Sequence, residues 1–140
     1  MNHVGISVSN IDRSLHFYRD LLGMEVLADE AFGGERYDAI LGLCGARGRV
    51  AVLRQGQFQV ELFEFSVPTP IHAEADRPVS NLGISHFCIH VADIDEAYVR
   101  LKSAGVRFHC PPIEFPGAEK ATYGRDPDGN AFELLQTSEP

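Results

Sequence analysis

The feature that most constrains this chain is an internal repeat. The segment His3 to Asp12 (HVGISVSNID) aligns with His86 to Asp95 (HFCIHVADID) at a constant offset of 83. Five of the ten positions are identical: His3/His86, Ile6/Ile89, Val8/Val91, Ile11/Ile94 and Asp12/Asp95. Self-similarity at a fixed offset marks one structural unit used twice.

Each copy runs on through apolar residues spaced by three and four. These are Ile11, Leu15, Tyr18 and Leu22 before Gly23, and Ile94, Tyr98, Leu101 and Ala104 before Gly105. That period puts one apolar face on a helix. Asn10 and Asp93 suit N-caps, Glu96 adds a capping-box-like partner in the second copy, and each glycine suits a left-handed C-cap. The copies converge again at Val60-Glu61-Leu62 and Phe132-Glu133-Leu134, where the offset has dropped to 72 and the second copy has the shorter connection.

Strand patterns cover Met24 to Leu27, Arg49 to Arg54 and Gln59 to Phe65 in the first half, and Arg107 to His109, Lys120 to Arg125 and Ala131 to Gln136 in the second. The expected fold class is therefore α+β, with two tandem βαβββ modules over 1–66 and 82–138 within one domain. The proline-bearing segment 67–81 reads as their linker. Asp126-Pro127-Asp128-Gly129-Asn130 reads as a hairpin turn. The glycine-rich stretch Gly42 to Gly48 has no phosphate-loop lysine and reads as a loop.

The repeat also singles out four polar residues. His3 and His86 open the first strand of each half, and Glu61 and Glu133 sit in the last strands between apolar neighbours. Alternation points each glutamate away from the side that carries those neighbours, and an isolated carboxylate is costly to bury. One divalent cation would offset both carboxylates, and two imidazoles would complete an N/O shell suited to zinc, nickel, cobalt, manganese or iron. Singly, such residues are more often surface or hydrogen-bonded groups; recurrence at matching places favours the metal.

The bulk numbers narrow the partners. A net charge of −8 argues against nucleic acid, which needs a basic footprint. No apolar run approaches the roughly 20 residues that span a bilayer. Three isolated cysteines without a CxxC pair suit reduced thiols. The N-terminus lacks the features of a secretory signal, so a cytoplasmic location is expected of it as a full-length chain. Arg36, Arg47, Arg49 and Arg54 gather in one stretch that could meet an acidic substrate, although ordinary ion pairs explain them as well. Of these, Arg54 is carried forward as a substrate-binding candidate.

HVGISV followed by FYRDLLGM, then VELFEF, SHFCIHVADID and YGRDPDGNAFELLQ, together resemble the vicinal oxygen chelate superfamily. That family includes glyoxalase I, methylmalonyl-CoA epimerase, extradiol dioxygenases and resistance proteins for bleomycin and fosfomycin. The resemblance implies paired βαβββ modules forming a U-shaped cleft, with the metal ligands falling on His3, Glu61, His86 and Glu133. It implies a lyase or isomerase acting on a small α-oxygenated carbonyl compound through a metal-stabilised enediolate, with Glu133 as the proton-transfer group and Glu61 as the second candidate base. It also implies a homodimer whose modules pair within one chain or between two.

His90, Cys88 and Tyr123 are further candidates to face the substrate, each with packing as the competing explanation. The resemblance also admits two other functions. A ring-cleaving dioxygenase is disfavoured because four protein ligands leave few open positions on the metal. A ligand-sequestering binding protein is disfavoured because such relatives commonly lack the full ligand set.

Overall fold

The computed structural model describes residues 2–72, 74–117 and 119–137. The outer limits of the two expected modules, Met1 and Ser138, lie outside these residues. The chain divides into two compact units, Met1–His72 and Ala73–Pro140, a boundary inside the segment read as the linker. Each unit is built on one sheet, and the mixed α+β character expected from the repeat is present in both.

The first unit runs β1 (His3–Ser7), α1 (Ile11–Leu15), β2 (Glu25–Gly33), α2 (Glu35–Leu41), β3 (Arg47–Gln55) and β4 (Phe58–Val67). Its sheet order is β1-β4-β3-β2, with β1 parallel to β4 and the other pairs antiparallel. Alternation along β4 sends Val60 and Leu62 to one face, where they are buried with Ile11, Leu15, Tyr18 and Leu53. Burying such side chains stabilises the unit by roughly 1.5–3 kcal/mol each. Glu61 and Phe63 therefore share the other face.

Three features depart from the sequence expectation. The helix after β1 begins as α1 but widens into a π-helical segment over His16–Leu21. Strand β2 continues to Gly33 instead of ending at Leu27, because Arg49 on β3 hydrogen-bonds the Asp29 carboxylate at 2.7 and 2.8 Å and neutralises a charge that reads as loop in sequence. Helix α2 has no counterpart among the described residues of the second unit. It packs Tyr37 and Leu41 against a cluster of Phe32, Ala46 and Val50, with Phe63 and Phe65 alongside.

The second unit runs β5 (Phe87–His90), α3 (Ile94–Ser103), β6 (Arg107–Phe108), β7 (Ile113–Phe115), β8 (Glu119–Arg125) and β9 (Ala131–Gln136). Its sheet order is β5-β9-β8-β6, with β7 also paired to β8. The extra strand β7 is exposed at all three residues and so shows no alternation to read. His86 lies one residue ahead of β5, not within it. The turn before β9 is tied by Asp126, which accepts from Asp128 N, Asn130 N and Asn130 Nδ2 at 2.8–3.0 Å.

The two units repeat in detail. Asn10 and Asp93 cap their helices by accepting from Arg13 N and Glu96 N, and each helical stretch is followed by a glycine with left-handed φ, Gly23 at 76° and Gly105 at 91°. A further matched pair reaches the same helix ends from the last strands. Glu64 accepts from Ile11 N at 2.7 Å, and Gln136 accepts from Ile94 N at 2.8 Å. Among the described residues no helix is long and apolar enough to cross a membrane.

Candidate metal centre

In the first unit β1 and β4 are neighbours, with His3 opposite Gln59 and Gly5 opposite Glu61. Gly5 has no side chain to stand between them, and His3 Nε2 lies 3.6 Å from Glu61 Oε2. The other ring nitrogen, Nδ1, is 2.9 Å from the Asn2 carbonyl oxygen Oδ1. A proton held on Nδ1 by that acceptor leaves the Nε2 lone pair free to bind a cation.

The second unit reproduces the arrangement. His86 Nε2 lies 3.2 Å from Glu133 Oε2, and Nδ1 is 2.8 Å from Ser85 Oγ. Asn2 and Ser85 stand one residue before each histidine, so the offset of 83 extends one position further back, to a pair of hydrogen-bonding side chains. The sequence reading missed these two residues, although the repeat itself could have found them.

This second pair is the more enclosed, with side-chain exposures of 28% and 18% against 43% and 27% in the first. Cys88, opposite Glu133 on β5, is half-buried. Its thiol is pushed up to about 12 by burial first, then by the Glu133 charge and a hydrogen bond to it. Tyr123, opposite Glu133 on β8, brings its hydroxyl to 3.1 Å from His86 Nε2 with the rings 4.6 Å apart. Burial and the Glu133 carboxylate also raise the tyrosine above its ordinary range, so it remains a hydroxyl donor. At the matching place in the first unit stands Val52, opposite Glu61.

The remaining candidates are placed differently. His90 ends β5 and is exposed. Arg54 lies on the Glu61 face but is ion-paired to Glu25 at 2.7 Å, the ordinary explanation weighed for that arginine stretch. Each unit thus brings one imidazole nitrogen and one carboxylate oxygen face to face. Among the described residues no group of three His, Cys, Asp or Glu side chains forms a metal cluster. An N/O pair is chemically suited to a divalent ion.

The profile of the Glyoxalase/Bleomycin resistance protein/Dioxygenase superfamily matches residues 1–134. The chain belongs to this superfamily. A 2-epi-5-epi-valiolone epimerase from an Actinomyces species is 32% identical over 96% of this chain and 78% of its own length. A putative lactoylglutathione lyase from Brassica oleracea is 30% identical over 99% of this chain, which spans only 45% of that relative. Among solved structures, a glyoxalase family protein from Bacillus cereus superposes with a TM-score of 0.90 at 25% identity, covering 97% of this chain and 92% of its own. This superfamily member therefore shares its fold with a glyoxalase family protein, and its sequence relatives include a named lyase and a named epimerase.

Proposed function

We propose that the chain is a divalent-metal-dependent lyase or isomerase acting on a small α-oxygenated carbonyl compound, with His3, Glu61, His86 and Glu133 as the ion's protein ligands. The observation that carries this reading is the duplicated geometry: a histidine Nε2 facing a glutamate Oε2 at 3.6 Å in one unit and 3.2 Å in the other, each imidazole oriented through Nδ1 by the preceding residue. The relatives named as a lyase and an epimerase support the same reaction class. The two pairs can serve one ion whether units combine within a chain or between two chains of a homodimer.

Such an ion, when bound, supplies Lewis acidity to the substrate's oxygens. The protein's own residues supply positioning and the proton movement. Glu133 takes the proton from the carbon beside the carbonyl; its return to the neighbouring carbon gives isomerisation, whereas delivery of a proton to the opposite face of the same carbon by a second acid, Glu61, gives epimerisation. Its shielding, greater than that of Glu61, favours it as the base, since it keeps bulk water from exchanging with the proton in transit. Glu61 is the second candidate.

The test is solvent-deuterium exchange into a panel of α-hydroxy and α-acyl carbonyl compounds, followed by NMR. Exchange catalysed by the wild type and reduced at least about 100-fold in Glu133→Ala is the expected result. Equal exchange by both proteins removes Glu133 from the mechanism.

A further inference from the structure

An open pocket of about 580 Å³ lies on the second unit, lined in part by Asp76, Lys102, Arg107, His109 and Arg125. None of the four proposed metal ligands lines it. Its size falls in the range of small-molecule sites and well exceeds a single ion.

The charges around it do not balance. Arg107 is matched by Asp76 through two hydrogen bonds of 2.6 and 2.8 Å, so that pair is close to neutral. Arg125 is only 9% exposed, and it donates to two uncharged acceptors, His109 Nε2 and Gly129 O, both at 3.0 Å. Lys102 donates to the Tyr98 hydroxyl at 2.8 Å and stands over its ring. Burial and the nearby Arg125 hold His109 below its ordinary range, consistent with a neutral imidazole accepting from the guanidinium.

Asp76, already bound to Arg107, also feels the charge of Arg125, so one carboxylate stands against three cations, Lys102, Arg107 and Arg125, in a chain whose net charge is −8. Two of the five guanidinium N–H donors of Arg125 are used in the bonds just named, which leaves others to meet an anion in the pocket. We propose that this pocket is an anion-binding site that takes the phosphate or carboxylate group of a small organic metabolite. Arg125 would supply directed donors and Lys102 a mobile second charge at the rim.

The experiment is isothermal titration of the full chain with glycerol 3-phosphate, inorganic phosphate and succinate, in wild type and in Lys102→Ala. Thermal unfolding serves as the check on folding. Saturable binding of at least one probe at one site per chain is expected. It should weaken as sodium chloride is added, and by about tenfold in Lys102→Ala. Lys102→Gln, which keeps a polar side chain but no charge, should behave like Lys102→Ala. Tighter binding of the phosphates assigns the site to phosphate, and tighter binding of succinate assigns it to carboxylate. No saturable binding of any probe, or equal affinity in both Lys102 variants and wild type, overturns the proposal. Neither result depends on a metal being bound.

Discussion

Tyr123 holds its hydroxyl 3.1 Å from His86 Nε2, the same nitrogen that faces Glu133 Oε2 at 3.2 Å. One imidazole nitrogen either accepts the tyrosine proton or offers its own to the carboxylate. A cation at Nε2 must displace whichever bond is present. Tyr123→Phe removes one competitor for that lone pair, worth roughly 1 kcal/mol net, so Zn²⁺ affinity should rise about fivefold. Competition against a chromophoric chelator measures this. Weaker binding in the variant would mean that the hydroxyl itself contributes to holding the ion.

Gly124 sits between Tyr123 and Arg125 because the strand there has no room for a side chain. A Cβ at this position would lie 2.5 Å from Phe132 Cζ and 3.0 Å from the Arg107 carbonyl. Phe132 is fully buried and precedes Glu133. Gly124→Ala should cost about 1–3 kcal/mol of stability, read as a lowered urea midpoint, and should disturb the Glu133 pair before the Glu61 pair. An unchanged midpoint would mean that the Phe132 ring moves aside freely.

His109 links pH to the stability of the second unit. Burial, and then the positive charge of Arg125, lower its folded pKa below the ordinary value, with Asp76 opposing them. The unfolded chain therefore binds a proton more readily than the folded one. This penalty is absent well above pH ~6.5 and grows as pH falls through that value toward the folded pKa. His109→Gln should flatten that part of the stability profile, as followed by urea unfolding between pH 7.5 and 5. An identical slope in both proteins would remove His109 as its cause.

Much of the architecture was legible because the repeat states it twice. The strand-helix entry, the caps at Asn10 and Asp93, and the last strands around Glu61 and Glu133 all follow from period and offset. Helix α2 was not legible: it is short, starts after Gly34 at φ 97° without a side-chain cap, and owes its place to aromatic packing that only the folded sheet creates. The contact of Tyr123 with His86 was also hidden, since it depends on the pairing of β8 with β9 opposite Glu133. Pairing register is set by the turn and the partner strand together. Arg125 and His109 both read as strand ends in sequence, and only the folded structure shows the arginine buried and in 3.0 Å contact with the imidazole.

The proposed ion site requires both His/Glu pairs to bind the same divalent ion. Elemental analysis tests it most directly, on protein loaded with Zn²⁺, Ni²⁺, Co²⁺, Mn²⁺ or Fe²⁺ and desalted, comparing the wild type with Glu61→Ala and Glu133→Ala. About one retained ion for each set of four ligands, lost or bound at least about 100-fold more weakly in both variants, is the predicted result. A wild type that retains no ion, or variants whose metal content matches it, would rule out this ion site.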